Sequence, residues 1–255
     1  MISCRVLPHQ VGDGPTNMAT DEALLDSVAD HPGSAVVRTY TWSVPTLSLG
    51  YFQRYAEVEA DPRWAKRAVV RRATGGGALW HDREVTYAVV IPVEHPLARP
   101  STALYQAIHQ AISAAIRRSG VGAERRGTPG LKVATAAKRP FLCFLDQDPD
   151  DVVVGSTKLV GSAQRRRSGA VLQHGSILLA RSPTTPELPG LADLVGDSQQ
   201  RGDQLAATWI EILRASLPDV IGGAPIAGDL TDWERDQADT LRSTVYQEVG
   251  WTRRR

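Results

Sequence analysis

The sequence predicts an α+β fold, a mixed or antiparallel β-sheet with helices on its faces. Three observations carry this. Short β-branched and aromatic runs bounded by Gly and Pro dominate up to about residue 180. Amphipathic helical stretches fall among them without the regular alternation of a βαβ repeat. No linker divides the 255 residues, so one domain over 1–255 is expected.

The elements follow in order. Residues 4–7 read as an opening strand. Thr16 or Asn17 is placed to cap a helix in which Asp21 and Glu22 face the positive dipole end and Leu24, Leu25 and Val28 form the apolar face. Strands are expected at 35–40, at 46–51 after Pro45, at 68–72 leading into three glycines, and at 85–90 before Pro92. Leu104, Ile108, Ile112 and Ile116 recur every fourth residue, which predicts a helix over 102–118 stopped by Gly120. Residues 121–142 read as loop with a short strand. Residues 152–154 and 158–163 flank Gly155-Ser156 as a hairpin, and 175–179 is a further strand. A surface connection over 182–203, a helix over 204–216 bearing Leu205, Trp209, Ile212 and Leu213, and a polar helix over 230–245 complete the chain before Arg253-Arg254-Arg255.

Composition excludes several function classes. Twenty-nine Lys+Arg against 28 Asp+Glu leave a formal charge of +1, and no aromatic-interleaved basic patch is present, so nucleic acid is not an expected partner. Two cysteines cannot make a disulfide framework. The opening MISCRVLPHQ lacks a signal-peptide core, and no stretch approaches the roughly 20 apolar residues of a membrane span. A soluble, reduced, cytoplasmic protein is expected, with no membrane partner. The His and Cys spacings contain no metal-ligand pattern.

Four segments could carry chemistry. In Arg71-Arg72-Ala73-Thr74-Gly75-Gly76-Gly77, three glycines after a strand suit either a flexible turn or a backbone that passes close to a ligand. The segment has neither P-loop nor dinucleotide spacing. Lys158, among small and apolar residues before Gly161-Ser162-Ala163, is either a solvated hairpin lysine or a cation offered to a carbonyl oxygen or anion. His174 beside Gly175 reads as structural when taken alone. So does Cys143, as a buried thiol within Pro140-Phe141-Leu142-Cys143-Phe144, and Cys4 in its strand. Arg165–Arg167 reads as a solvated turn.

In this order, Asn17-Met18-Ala19-Thr20-Asp21-Glu22-Ala23-Leu24-Leu25, the run from Arg71 to Trp80-His81-Asp82, Lys158-Leu159-Val160-Gly161-Ser162-Ala163-Gln164 and Leu172-Gln173-His174-Gly175-Ser176 resemble the lipoate–protein ligase and octanoyltransferase branch of the biotin/lipoate ligase superfamily. The likeness spans about residues 4–180. It implies a catalytic domain of mixed sheet and helices with a tunnel for an eight-carbon acyl or lipoyl chain. Burying such a chain, at about 0.8 kcal/mol per CH₂, gains roughly 5 kcal/mol. The resemblance places Arg71, Arg72, Thr74, Gly75, Gly76, Gly77, His81, Gly161, Ser162, Ala163 and His174 at the substrate, and Lys158 on the acyl carbonyl.

Cysteine-dependent octanoyltransferases of the LipM type have Phe after their cysteine and an acidic residue eight positions on, and here Cys143-Phe144 precedes Asp151 by eight. The resemblance therefore makes Cys143 the acyl-accepting nucleophile. It implies octanoyl-acyl carrier protein as donor, a lipoyl domain (glycine cleavage H protein or an E2 subunit) as acceptor, and no cofactor. No cysteine follows His174, unlike the LipB type. Two departures stand out. Ser156-Thr157 replaces a Gly-Arg-like pair, and 146–150 carries acidic residues that oppose a thiolate. Arg125-Arg126, Lys138-Arg139 and Arg165–Arg167 are candidate docking residues for acidic carriers. Two rivals remain: an ATP- and Mg²⁺-dependent lipoate–protein ligase, which the lack of the full accessory C-terminal domain seen in some such ligases disfavours, and a carrier-binding protein without turnover.

Overall fold

A computed structural model of the chain describes residues 2–127, 140–146, 148–167, 169–195 and 202–255. Its strands in chain order are β1 (Ile2–Val6), β2 (Gln10–Gly12), β3 (Ser34–Trp42), β4 (Thr46–Leu49), β5 (Ala68–Arg71), β6 (Leu79–His81), β7 (Glu84–Pro92), β8 (Ala123–Arg125), β9 (Val152–Val154), β10 (Thr157–Arg167), β11 (Ala170–Leu178) and β12 (Gly223–Ala227). The helices are α1 (Gly14–Asp30), α2 (Ala56–Glu59), α3 (Ala103–Arg118), α4 (Leu191–Val195), α5 (Gly202–Val220), α6 (Asp232–Leu241) and α7 (Val249–Thr252).

Among the described residues the main sheet runs β12-β1-β3-β7-β11-β10-β9-β8, with β2 beside β3. It is mixed: β1 lies parallel to β3 and β12, while β3, β7, β11 and β10 alternate antiparallel. The expected α+β architecture is therefore the observed one. The central strands β7 and β11 are buried along their whole length, because apolar layers cover both sheet faces. One layer packs the α3 stripe Leu104, Ile108, Ile112 and Ile116 and the α5 residues Trp209, Leu213 and Leu217 on the sheet. The other packs Leu24, Leu25 and Val28 of α1 with Tyr246. A small sheet, β5-β4-β6, sits beside the first with a core of its own around Trp64, Trp80 and Phe144.

Several local expectations are corrected. Asp13, not Thr16 or Asn17, caps α1; its carboxylate accepts from the Thr16 N–H at 2.8 Å, and Pro15 fits the first turn. Asp21 and Glu22 thus fall well inside the helix and are buried, so tertiary partners rather than the dipole hold them. Arg165–Arg167 continues β10 instead of forming a turn. There Arg167 pairs with Glu22 and Asp26, and Arg166 donates to the Ala98 carbonyl. The strand expected at 175–179 starts at Ala170, and the connection expected over 182–203 contains α4. Strands β2, β6 and β12 have no clear sequence signal. The first two are three residues long, and β12 holds Gly223 and Pro225, which an edge strand tolerates. Lys138-Arg139 lies outside the described residues.

Candidate active site

The site forms where the two sheets meet. The β10–β11 register sets Gly161 opposite Ser176, Ser162 opposite Gly175 and Ala163 opposite His174. These segments, more than ten residues apart in sequence, thereby become one patch. Close approach requires glycine here: a Cβ on Gly175 would lie 2.3 Å from Ser162 Oγ and 2.7 Å from the Gly161 carbonyl oxygen.

The loop after β5 closes over this patch, and Arg72 fixes its path. The Arg72 side chain is buried and donates to the carbonyls of Ser48 (2.7 Å), Gly75 (3.0 Å) and Gly77 (2.9 Å). Burial lowers its pKa to about 10, which leaves it cationic at neutral pH. Two directed hydrogen-bond chains run from it. In the first, Arg72 donates to Ser48 Oγ (2.7 Å), Ser48 to His81 Nε2 (2.7 Å), and His81 Nδ1 to the Glu84 carboxylate (3.2 Å). In the second, Arg72 Nε reaches Thr74 Oγ1 at 3.4 Å, Thr74 Oγ1 bonds His174 Nε2 (2.8 Å), and His174 Nδ1 donates to Asp21 (2.8 Å). The carboxylates can only accept, so Nδ1 of each histidine carries a proton. Burial lowers the His81 pKa, keeping the ring neutral. Burial alone would raise Asp21, but Arg38 at 2.6 Å, His174 and Tyr40 outweigh it and hold the carboxyl below its usual range.

Cys143 reaches the loop through backbone pairing. The Ala78 N–H donates to the Phe141 carbonyl and the Cys143 N–H to the Ala78 carbonyl, each at 2.8 Å. A Cβ on Gly77 would lie 3.0 Å from the Cys143 Cα, so the cysteine turn rests on bare loop backbone. Cys143 is partly exposed at the head of a single 3₁₀ turn, Cys143–Leu145, rather than buried in a core. Cys4, by contrast, is buried, and burial pushes its thiol up to about 11, which makes it unreactive.

Lys158 is not a solvated hairpin lysine. It is 6% exposed, and its ammonium lies 3.6 Å from Cys143 Sγ, 3.1 Å from the Cys143 carbonyl, 3.3 Å from the Asp146 carbonyl and 2.8 Å from Asp151 Oδ2. Burial opposes its charge, but the neighbouring Cys143 sulfur and Asp151 outweigh burial and raise its pKa. A permanent cation therefore faces the thiol. Gly161 makes room for it, since a Cβ there would meet Lys158 Cε at 2.7 Å. The acidic run is partly neutralised, with Asp150 paired to Arg125 at 3.0 Å and Asp151 to Lys158.

Two cavities share Cys143. A narrow cleft is walled by Met18, Tyr40, Trp42, Leu79, His81 and His174 and by the backbones of Gly75, Gly76, Gly161 and Gly175. Trp42 stacks on His81 at 3.8 Å between centroids. A broad groove of mixed lining, open to solvent, contains Lys158, Tyr51, Phe52, Asp148, Arg165 and Arg166. Cys143, Gly75, Gly76 and Ser162 line both. A narrow, mostly apolar cleft and a wide approach thus meet at Cys143, an arrangement that suits a reacting carbon held at their junction.

Of the residues singled out from sequence, Cys143, Lys158, Arg72, Gly75, Gly76, Gly77, His81, Gly161, Ser162, Ala163 and His174 converge on these cavities. Thr74 stands behind His174. Arg71 does not join them. Its guanidinium donates to the carbonyls of Gly50, Tyr51, Gln53 and Thr252, which ties the loop to the C-terminal segment. Trp251 Nε1 donates back to the Arg71 carbonyl at 2.9 Å. Tyr40, Trp42, Ser48, Tyr87 and His109 also belong to the site and carry no local motif. Among the described residues no group of three or more His, Cys, Asp or Glu could hold a metal ion, and no helix is long and apolar enough to cross a membrane.

Known proteins resemble the chain in sequence and in fold. A family model described as the lipoyl protein ligase A/B catalytic domain matches residues 13–185. An octanoyltransferase LipM of Kyrpidia tusciae is 34% identical over the full length of both chains. That of Moorella thermoacetica is 42% identical over 69% of this chain, and the match spans 64% of that relative's length. In fold the chain is similar to a lipoate-protein ligase A solved with ATP (TM-score 0.75, 21% identity, 99% of each chain). It is also similar to a bipartite lipoate protein ligase of Thermoplasma acidophilum, solved in a study of that ligase and its E2 lipoyl domain (TM-score 0.72, 21% identity, 99% of this chain and 96% of that one). On the family match and the full-length relative together, the chain belongs to the lipoyl protein ligase A/B catalytic domain family.

Proposed function

We propose that the chain acts as one catalytic domain, an octanoyltransferase. It takes octanoate from acyl carrier protein onto Cys143 and passes it to a lysine of a lipoyl domain, in lipoate biosynthesis in the cytoplasm. The observation that carries this is the Lys158 ammonium 3.6 Å from Cys143 Sγ, at the junction of an apolar cleft and an open groove. The LipM relatives and the E2 lipoyl domain studied with a structural neighbour support the same reading.

The acyl tail lies in the cleft beside Met18, Trp42 and Leu79, which excludes water from it. Cys143 gives its S–H proton to solvent and its sulfur attacks the thioester carbonyl; the C–S bond to the carrier breaks, and the carrier leaves as a thiolate that solvent protonates. Lys158 holds negative charge first on the sulfur and then on the carbonyl oxygen. The lipoyl-domain lysine enters through the groove and attacks the acyl-enzyme, giving the amide and freeing Cys143. A thioester is already activated, so this route uses no ATP, metal or other cofactor.

The test is intact-protein mass spectrometry after mixing the chain with octanoyl-acyl carrier protein without ATP. One octanoyl adduct, removed by neutral hydroxylamine and absent in Cys143→Ser, is expected. No adduct, with lipoyl-domain octanoylation only when ATP, Mg²⁺ and free octanoate are supplied, would assign the chain to the ligases instead. Tight binding to the lipoyl domain with neither reaction would make it a carrier-binding protein.

A further inference from the structure

One buried titratable group has no part in the steps above. His109 on α3 is 1% exposed, with Nδ1 2.5 Å from the Asp150 carbonyl oxygen and Nε2 2.6 Å from Ser162 Oγ. A carbonyl only accepts, so Nδ1 carries the proton and Nε2 is bare. The Ser162 hydroxyl therefore donates to His109. Tyr87 OH lies 2.6 Å from Ser162 Oγ and, with the serine proton already directed at His109, must be the donor. Gln173 Nε2 donates to Tyr87 at 3.3 Å, and Gln173 Oε1 accepts from Gln164 at 2.9 Å, which fixes the amide orientation. Every proton in the series Gln173, Tyr87, Ser162, His109, Asp150 thus has an assigned direction. Burial lowers His109 to about 4 and keeps it neutral at pH 7.

This polarity decides what Ser162 can offer a substrate. Its proton is committed to His109 and one lone pair to Tyr87, so it offers its second lone pair, as an acceptor only. It lines both cavities beside Cys143. It is unsuited to hold the thioester oxyanion, which falls to Lys158, and suited to hold an N–H. Resting on the thioester reading above, we propose that Ser162 accepts a hydrogen bond from the attacking lysine amine and relays its proton to His109 Nε2.

The step balances. The acceptor lysine reaches the site as a neutral amine, its ammonium proton lost to water. Its nitrogen bonds to the acyl carbon while one N–H proton passes to Ser162 Oγ and the serine proton passes to His109 Nε2. The C–S bond then breaks, and Cys143 leaves as a thiolate beside Lys158. The imidazolium returns its proton to Ser162, whose surplus proton goes to the thiolate. Thioester and amine become amide and thiol. The first half-reaction uses no such relay: Cys143 loses its S–H proton to solvent and attacks as a thiolate beside Lys158, and the carrier leaves as a thiolate that takes a proton back from solvent. Ser162 touches the substrate; His109 is a positioning residue that acts through it.

The experiment separates the two half-reactions: acylation of Cys143 by octanoyl-acyl carrier protein, and discharge of the isolated acyl-enzyme to a lipoyl domain. Ser162→Ala is expected to acylate within about threefold of the parent chain and to discharge to lysine about 100-fold more slowly, the low end of acid–base contributions. Its acyl-enzyme should return octanoate to the free carrier thiol at the parent rate. Ser162→Thr, which keeps a hydroxyl, restores lysine transfer. His109→Gln still accepts the serine proton's hydrogen bond but takes up no proton; it shows the same selective loss and carries the test even where Ser162→Ala fails to fold. Undiminished lysine transfer, or equal losses in both half-reactions, would overturn the relay alone. No acyl-enzyme in the parent chain would overturn the thioester reading and the relay with it.

Discussion

Replacing Lys158 by Met removes the cation and leaves Asp151 in place. The two side chains are 4% and 7% exposed and 2.8 Å apart. Removing one partner of a buried pair strands the other charge, at a cost of about 3–5 kcal/mol. For a chain of this size each kcal/mol shifts Tm by about 2–4 °C, so Lys158→Met should melt roughly 6–20 °C lower. The second substitution Asp151→Asn removes the stranded charge and keeps an amide oxygen for the Asp148 N–H, which now donates to Asp151 at 2.7 Å. The double variant should recover most of the lost stability. It should not recover catalysis, because the charge facing Cys143 Sγ and the acyl oxygen is still missing; cysteine acylation should stay about 100–1000-fold down. Thermal unfolding and time-resolved mass spectrometry of the acyl adduct read the two effects separately. A double variant that acylates at the parent rate would refute the role given to Lys158. One no more stable than the single variant would refute the ion-pair reasoning.

Two further outcomes follow from groups away from the cysteine. The folded His109 value of about 4 lies below the ordinary 6.5, so above 6.5 both folded and unfolded states leave it neutral; below, the unfolded chain takes a proton the folded chain refuses. Stability should fall by roughly 3 kcal/mol between pH 6.5 and 4 through this group, and urea titrations should show a shallower fall for His109→Gln; equal slopes would contradict the assignment. Truncation before Val249 removes the Thr252 carbonyl that Arg71 binds and the Trp251 indole that binds the Arg71 backbone, so transfer activity should drop about tenfold or more, as a misplaced loop does, while a truncated chain with full activity would show that the clasp leaves the glycine loop unaffected.

The elements legible in the sequence were those with strong local periodicity. The α3 stripe of Leu104, Ile108, Ile112 and Ile116, the glycine run and the 155–156 hairpin turn each sit where the residue pattern places them. Sequence does not single out Asp13 as the α1 cap because Thr16 and Asn17 offer equally good capping chemistry; only the helix start separates them. His109 was unremarkable because its partners, Asp150 and Ser162, lie 41 and 53 residues away in the chain. Arg71 and Arg72 are adjacent and chemically identical, yet one serves the loop over the cleft and the other the C-terminal clasp. Alternation along the strand turns neighbouring side chains to opposite sides, and that difference of role cannot be read from the pair alone.

The sequence by itself determined the α+β architecture and the family resemblance and singled out Cys143 and Lys158 as candidates, because hydrophobic periodicity and short motifs are local properties of the chain. Only the tertiary structure decided that the thiol is accessible, that the lysine is buried and charged, and which way each proton in the Ser162 series points. Those depend on strand register and on loop backbones held by buried arginines, and distances between segments arise only when the chain packs.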